Sequence, residues 1–331
     1  MRKIVRGICM LTVVALAFTS CKKNEQNASS FNGKTQVLEV DNGERAYIEN
    51  STNQMNFEEG DQVMLFNIDN EAQGSESALY HAESTGTLVK FIADEQMTTT
   101  AFDNFYAFYP GANVVPDLGN ENYAKFPIAG TQVYREDAQG KPIISKDHLY
   151  MAAKADTKDL AKTTFVFNNI CGVLVMSLYS SANVTKYVQS IEIEDKFYHL
   201  VGDVHLKVDG VDAEKLQGFF TNYNPQNPEF IRYVQDDLGY YVDGKTSKIM
   251  TLDCTSVVND NEPNGVKLNA TPAAAKAFCI VLRPLALSQG FTMRVNYVDA
   301  NGQSDTFTIS TNRNNMIKPN VYRTFSAVDI H

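Results

Sequence analysis

The stretch Phe291–Ser310 reads FTMRVNYVDANGQSDTFTIS and gives the clearest indication of the fold. Apolar and polar residues alternate from Phe291 to Tyr297, and the alternation returns in the closing TFTIS. A period of two is typical of a strand with one buried face. The intervening Asp299–Gly302 (DANG) ends in Asn-Gly, a pair suited to the positive φ angles of a tight reversal. The stretch therefore predicts a β-hairpin.

Short β segments separated by turn residues recur along the rest of the chain. They are Val63–Ile68, Thr87–Ile92, Phe105–Tyr109, Thr163–Leu178 (two strands with a break near Asn168-Asn169), Val188–Glu194 and Val204–Val208. Helices are expected only as brief pieces, around Thr157–Ala161 and Thr271–Ala277. Many short strands with frequent turns predict an all-β chain built as β-sandwiches.

The length of 331 residues exceeds one typical sandwich and therefore predicts two domains. The best boundary is Ala152–Lys162 (AAKADTKDLAK), which is polar and poor in strand-forming residues. We expect an N-terminal sandwich over 46–160 and a C-terminal sandwich over 161–331. The chain has no strict internal repeat.

The N-terminus has the layout of a bacterial lipoprotein signal. A cationic head with Arg2, Lys3 and Arg6 precedes the apolar run Ile8–Phe18, which is too short to span a bilayer. The small Thr19 and Ser20 then lead directly to Cys21. We expect cleavage of residues 1–20, lipidation of Cys21 and attachment to the outer membrane; a plain secreted protein in which Cys21 stands by chance is the alternative. Residues 21–45 contain the polar run KKNEQNASSFNG directly after Cys21, and they are expected to act as a tether that includes a removable strand.

The chain is acidic, with a formal charge of −10. Loss of Arg2, Lys3 and Arg6 with the signal takes the mature chain from −10 to −13. An acidic surface repels phosphate backbones, so we do not expect nucleic acid as a partner.

Signatures of catalysis and of cofactor or metal binding are missing, so we expect no enzyme, no cofactor and no metal. The chain lacks GxGxxG, GxxxxGK[ST], GxSxG and HExxH. His199 and His205 flank a predicted reversal at Val201–Asp203, but a closed zinc site needs four ligands. The acidic loop Asp260–Gly265 starts like a calcium loop, but Thr271 stands at its twelfth position.

Beyond the lipid site, the mature chain has three cysteines, Cys171, Cys254 and Cys279, each in an apolar segment. An odd number permits at most one disulfide within the chain. Buried free thiols are the favoured interpretation, with a single disulfide as the alternative.

Four stretches carry a resemblance to the fimbrillin-like lipoprotein family of Bacteroidetes. They are Phe57–Phe66 (FEEGDQVMLF), Phe105–Pro110 (FYAFYP), Phe165–Leu174 (FVFNNICGVL) and the run from Leu282-Arg283-Pro284 to Phe325. The resemblance covers most of the mature chain, with the motifs in the family's order. Phe57 stands where a Trp is common and Asn169 where a His is common. The resemblance implies two β-sandwich domains of transthyretin-like, Greek-key topology.

The resemblance also implies assembly by strand exchange. In the family, a trypsin-like protease removes an N-terminal segment after an Arg, and a strand from a neighbouring subunit fills the groove that this opens. Arg45 is the only Arg between Cys21 and Arg135 and lies in the turn-like DNGERA. We therefore expect cleavage after Arg45, with Ala46 as the new N-terminus; an unprocessed surface Arg is the alternative.

The strands expected to take part are Thr35–Val40, with Val37 and Leu38, and the last strand Tyr322–Ile330, with Phe325 and Val328. The leading hypothesis is thus a fimbrial or fimbria-associated subunit at the cell surface. Its expected partners are other fimbrial subunits and a host or glycan receptor.

The alternative hypothesis is a glycan-binding lipoprotein of a polysaccharide-uptake system, for which Tyr223, Tyr233, Tyr240 and Tyr241 could supply stacking rings. Exposed aromatic rings converging on one face would favour this alternative. A buried N-terminal strand followed by an accessible Arg45 would favour the fimbrial subunit.

Overall fold

The computed structural model describes residues 30–35, 39–41, 56–68, 75–95, 97, 104–118, 122–144, 146–155, 159–211, 241–287, 289–313, 315–319 and 321–331. Within these ranges the protein is all-β, as predicted. Its helical segments there are 3-10 turns of three or four residues: Gly111–Asn113, Lys146–His148, Leu160–Lys162, Val208–Val211 and Pro272–Ala274. None of the helices in this part of the chain has the length and apolar character needed to span a membrane.

The first thirteen strands follow one another up to Asn169. They are β1 (Ser30–Thr35), β2 (Glu39–Asp41), β3 (Gln62–Ile68), β4 (Glu76–Ala82), β5 (Leu88–Ala93), β6 (Asn104–Tyr109), β7 (Val115–Leu118), β8 (Asn122–Ile128), β9 (Thr131–Val133), β10 (Arg135–Glu136), β11 (Pro142–Ile143), β12 (Met151–Lys154) and β13 (Thr164–Asn169).

The remaining strands run to the end of the chain. They are β14 (Gly172–Tyr179), β15 (Lys186–Asp195), β16 (Val201–Lys207), β17 (Tyr241–Ser247), β18 (Ile249–Asp253), β19 (Val266–Lys267), β20 (Lys276–Leu282), β21 (Leu285–Leu287), β22 (Phe291–Asp299), β23 (Ser304–Ser310), β24 (Asn315–Ile317), β25 (Val321–Thr324) and β26 (Val328–Asp329).

Seven strands form a closed barrel in the order β1-β13-β12-β6-β3-β4-β5. Its interior is an aromatic cluster that includes Phe31, Phe57, Tyr80, Phe91, Phe105, Tyr109, Phe165 and Phe167. Phe57 packs edge-on against Phe91, Tyr109 and Phe167, with ring centroids 5.1 to 5.4 Å apart. Large rings fill this interior and remove more apolar surface from water than aliphatic side chains would.

The other strands build open sheets around a second hydrophobic core. One sheet has the order β2-β25-β14-β20, with β26 also on β14. A second has the order β23-β22-β15-β18-β9, with β19 also on β15, and a third has the order β17-β16-β8-β7. The pairs β21-β24 and β10-β11 complete the set.

Strands β3 and β6 join the two cores because both of their faces are buried. Val63 and Leu65 point into the barrel cluster, while Met64 and Phe66 belong to the second core. At the end of β6, Gly111 meets the backbone of β3 so closely that a Cβ atom would lie 2.4 Å from the Val63 carbonyl carbon. Only glycine permits that approach.

The predicted C-terminal hairpin is confirmed. Strands β22 and β23 pair antiparallel from Thr292–Ser310 to Val298–Ser304. Phe291, Met293, Val295 and Tyr297 are buried and the residues between them are half-buried, as the alternation requires. In the turn, Asp299 Oδ1 accepts hydrogen bonds from the backbone N–H groups of Asn301 and Gln303, and Gly302 has φ = 81°.

The predicted break near Asn168-Asn169 is also confirmed, and it coincides with a change of sheet. Strand β13 ends at Asn169 within the barrel, and β14 begins at Gly172 in the second core. Strands β12 and β13, which flank the expected boundary at residue 160, both belong to the barrel. The two-sandwich layout and the domain limits 46–160 and 161–331 stay predictions, because sheet membership alone does not define a domain.

The predicted reversal at Val201–Asp203 is wrong. These residues open the continuous strand β16, and Gly202, with φ = 144°, produces a register shift inside it. His199 therefore precedes the strand and His205 is buried within it, so the two rings do not face each other across a turn. A glycine marks a bulge here rather than a turn, because β16 pairs with neighbours on both sides.

Candidate strand-exchange site

Strand β1 closes the barrel. It pairs in parallel with β13 from Asn32–Thr164 to Thr35–Phe167, and antiparallel with β5 from Ser30–Ile92 to Lys34–Leu88. In the closed barrel β1 is the single strand that lies between β13 and β5 on this side. Without β1, one side of each of these strands would present unpaired N–H and C=O groups.

Phe31 fixes β1 in the barrel interior. Its side chain is 2% exposed, and its ring centroid lies 4.7 Å from that of Phe165, 5.1 Å from Tyr80 and 5.3 Å from Phe91. Burial of a side chain of this size contributes about 1.5–3 kcal/mol relative to exposure. Strand β1 is thus a strand of the barrel wall that is anchored by one large apolar side chain.

Gly33 allows β1 to sit close to its neighbours. A Cβ atom at this position would lie 2.6 Å from the ring of Phe91 and 3.1 Å from the ring of Phe167. The missing side chain therefore makes room for two core rings. The pattern Phe31-Asn32-Gly33-Lys34 alternates between buried and exposed positions, as a strand with one inward face does.

Strand β2 carries the same N-terminal segment to the second core. Its three residues pair in parallel with β25, from Glu39–Val321 to Asp41–Arg323, and β25 in turn pairs with β14. One short segment, residues 30–41, thus supplies a strand to the barrel and an edge strand to an open sheet.

The strand predicted at Thr35–Val40 is described only at its two ends. Thr35 is the last residue of β1 and Glu39 the first of β2, while Val37 and Leu38 lie outside the described residues. Cys21, Arg45 and Ala46 also lie outside them. In the sequence, Arg45 follows Asp41, the end of β2, by four positions. The inward residue that sequence reasoning missed is Phe31, whose signal was a single aromatic in a polar run.

The C-terminal segment is two short strands rather than the single strand Tyr322–Ile330. Both β25 and β26 lie in parallel on β14, and Val328 pairs with Leu178. Tyr322 is 7% exposed, and the half-buried Phe325 lies 5.4 Å from the ring of Phe291.

The end of this segment is held by hydrogen bonds as well as by packing. Ile330 is fully buried, and the Ser180 hydroxyl donates to its carbonyl at 2.7 Å. Ser181 donates from its backbone N–H and from its hydroxyl to the Asp329 carboxylate. The segment is thus an integrated part of its own subunit, as an intrinsic last strand should be.

Possible metal ligands do not form a site in the described part of the chain. No group of three or more His, Cys, Asp and Glu side chains there could hold a metal ion. In the acidic loop, Asn259 Nδ2 donates to the carbonyls of Pro263 and Gly265, and Glu262 pairs with Lys267 at 2.7 Å. Hydrogen bonds within the protein therefore organise this loop.

The three cysteines beyond Cys21 are free thiols, in agreement with the favoured interpretation. Cys171 and Cys254 are buried and Cys279 is half-buried. Burial raises the pKa of the Cys171 thiol to about 12, so this thiol stays protonated and unreactive near neutral pH.

Comparisons with known proteins give structural relatives only. No family model and no curated protein matches the chain. A "putative cell adhesion protein" from Bacteroides ovatus ATCC 8483 is similar, with a TM-score of 0.46 and 12% identity over 89% of this chain and 92% of that one. A second such protein, from Bacteroides uniformis ATCC 8492, has a TM-score of 0.44 and 15% identity over 91% and 93%.

A fimbrial protein from Bacteroides vulgatus ATCC 8482 is also similar, with a TM-score of 0.41 and 11% identity over 91% of this chain and 95% of that one. The solved structures to which this chain is similar thus include proteins described as fimbrial and as putative cell adhesion proteins of Bacteroides.

Proposed function

We propose that this protein is a fimbrial or fimbria-associated subunit of the cell surface, which assembles by β-strand exchange and mediates adhesion. The observation that carries the proposal is the position of β1. This strand closes the barrel, is anchored by the buried Phe31, and belongs to a segment that precedes the candidate cleavage site at Arg45.

Cleavage after Arg45 would cut the covalent link between β1-β2 and the rest of the chain. Departure of the segment would leave β5 and β13 with unpaired edges on either side of a slot lined by Tyr80, Phe91 and Phe165. An incoming strand would restore the backbone hydrogen bonds and fill the place of the Phe31 ring. This is β-augmentation, in which the main chain supplies affinity and side-chain pockets supply specificity.

The donor that we propose is the C-terminal segment of another copy, from Tyr322 to Ile330. It already binds in parallel to β14 of its own subunit, so it would have to leave that sheet before it could enter another. Its buried Tyr322 and Ile330 are apolar anchors of the kind that the vacated slot requires.

The remaining features of the proposal come from the sequence. Lipidation at Cys21 would hold the precursor at the outer membrane, and the mature subunit would act at the cell surface without catalysis or a cofactor. Two sandwich domains, 46–160 and 161–331, would form its body. Its partners would be other fimbrial subunits and a host or glycan receptor, and not nucleic acid.

The glycan-binding alternative has less support. Tyr223, Tyr233 and Tyr240 lie outside the described residues, as does the side chain of Tyr241. Among the described residues, the exposed large apolar side chains include one aromatic ring, that of Phe197. No converging set of exposed rings is found in this part of the protein, so no observation favours that function over the first.

The test uses the chain from Lys22 onward, which contains every described residue, and its Arg45→Gln variant. After brief trypsin treatment, samples are run unboiled on a denaturing gel and their N-termini are sequenced. We expect the wild-type chain to give a new N-terminus at Ala46 and a ladder of stable multimers.

The Arg45→Gln chain should resist cleavage at that position and run as a monomer on the denaturing gel. Trypsin also cuts after Lys, so the same variant controls for cleavage elsewhere. A wild-type chain that is cut at Arg45 and still runs as a monomer would contradict self-assembly by strand exchange.

A further inference from the structure

The sheet β23-β22-β15-β18 has two ends of opposite charge. Its central strand, β15, runs from Lys186, opposite Asp299, to Asp195, opposite Phe291. The loops before β22 and after β23 therefore gather at the Asp195 end, together with the turn before β18. The β22–β23 turn and the loop after β18 gather at the Lys186 end.

The Asp195 end is the basic end of the sheet. It is defined by Lys196, Lys248, Arg283 and Arg313. Lys196 Nζ donates to the Gln289 carbonyl at 3.2 Å and to Asn312 Oδ1 at 3.1 Å, next to Arg313. Lys248 Nζ donates to the Lys196 carbonyl at 3.0 Å. The Arg283 guanidinium donates to the His199 carbonyl at 3.0 and 2.9 Å.

Surface carboxylates are missing from the loops of the basic end. Residues 196–200 (KFYHL), 283–290 (RPLALSQG) and 311–314 (TNRN) contain no Asp or Glu. The carboxylate that precedes them, Asp195, is 1% exposed and accepts hydrogen bonds from the N–H groups of Phe197 and Tyr198. Phe197, 49% exposed, adds an apolar contact surface among these cations.

The Lys186 end is the acidic end of the sheet. It is defined by Asp260, Glu262, Asp299, Asp305 and Asp329. The N–H groups of Gln303 and Asn301 hold the pKa of Asp299 below its ordinary value, so this carboxylate is charged at neutral pH. Two lysines lie nearby, but Lys186 is buried beside Tyr297 and Lys267 is paired with Glu262. Carboxylates therefore outnumber exposed cations at this end.

We propose that copies of this chain dock end to end, the basic end of one against the acidic end of the next. The inference rests on the proposed function in taking another subunit as the partner. The ten residues of β15 separate the two ends by roughly 30 Å, several Debye lengths at physiological salt, so the charges do not neutralise each other within one molecule. A contact between two different surfaces is heterologous, and it builds an open series wherever its rotation does not close into a ring.

Net charge makes this orientation selective. The chain without its first twenty residues carries a formal charge of −13, so two copies repel each other in most orientations, whereas the end-to-end arrangement brings opposite charges together. Individual surface ion pairs stabilise weakly, so the contact is expected to be weak and salt-dependent, and its main effect is to set the orientation and rate of encounter. It would align a donor strand before the slower strand exchange.

The test is sedimentation velocity on the uncut chain from Lys22 onward, at an ionic strength of about 0.1 M and of about 1 M, where the Debye length is roughly 10 Å and 3 Å. The basic-end variant is Lys248→Glu with Arg313→Glu, and the acidic-end variant is Asp260→Lys with Asp305→Lys. The wild-type chain should self-associate at the lower salt only. Each variant alone should self-associate about tenfold or more weakly.

An equimolar mixture of the two variants should recover association, because each supplies the end that the other lacks. Lys90→Glu with Lys162→Glu reverses two exposed barrel charges as the matched control and should associate like wild type. Equal unfolding midpoints establish that all variants are folded. A monomeric wild-type chain, or a mixture that does not associate, would overturn the inference. Because strand exchange is scored separately on cut chains, either idea can fail while the other stands.

Discussion

At the scale of single residues, Phe31 anchors β1, the strand that closes the barrel, beyond what its backbone hydrogen bonds contribute. Its strand pairs with β5 and β13, but its ring is what joins the cluster of Tyr80, Phe91 and Phe165. Neighbouring Gly33 contributes by the absence of a side chain, which lets the rings of Phe91 and Phe167 approach the strand. The large side chain of Phe31 and the absence of a side chain at Gly33 thus determine how β1 packs against the barrel interior.

Phe31→Ala should destabilise the protein by about 3–5 kcal/mol, because the vacated space is enclosed by rings that cannot collapse into it. Urea unfolding followed by circular dichroism measures this change. Phe197→Ala removes a ring that is 49% exposed and serves as the control, with an expected change within about 0.5 kcal/mol. Equal effects of the two substitutions would show that Phe31 is not a core anchor.

At the scale of elements, the C-terminal hairpin has its register fixed by both its strands and its turn. The inward residues of β22 are buried, while β23 is an edge strand in which Phe307 is half-buried and the other residues are exposed. Burial alone therefore fixes the register of β22 more firmly than that of β23. The turn compensates through the two hydrogen bonds to Asp299 and the left-handed Gly302.

Gly302→Ala should lower the free energy of unfolding by about 1–2 kcal/mol. A Cβ atom at this position would meet no heavy atom within 4 Å, so the cost arises from the positive φ and not from a clash. Gly302→Asn should cost less, because asparagine tolerates this conformation. Thermal unfolding of the three chains measures the order, and an alanine variant as stable as wild type would contradict a strained turn.

At the scale of the whole molecule, the N-terminal segment is shared between two cores. Residues 30–35 complete the barrel and residues 39–41 extend the sheet on β25, so one segment stabilises both. Under the proposed function, a single cut after Arg45 would separate both strands covalently from the rest of the chain.

A chain that begins at Ala46 should bind a synthetic peptide of residues 28–42, with recovery of stability that is measurable by thermal unfolding. The same peptide with Phe31→Ala should bind about a hundredfold or more weakly, since each 1.4 kcal/mol is about a factor of ten. Isothermal titration calorimetry gives the two dissociation constants. Equal affinities would mean that the slot does not recognise the ring.

The all-β class, the C-terminal hairpin and the break after Asn169 could be predicted from the amino-acid sequence, because they depend on local alternation and on turn residues that act over a few positions. The sequence also predicted free thiols, because Cys171, Cys254 and Cys279 lie in apolar segments.

The identity of the strand that closes the barrel is set by long-range pairing, because β1 pairs with β5 and β13 across about 60 and about 130 intervening residues, and no local pattern encodes such a pairing. The same holds for β16, where pairing on both sides turned an apparent reversal at Gly202 into a bulge within one strand. The two charged ends likewise exist only in the folded chain, since strand order gathers Lys196, Lys248, Arg283 and Arg313 from four separate loops.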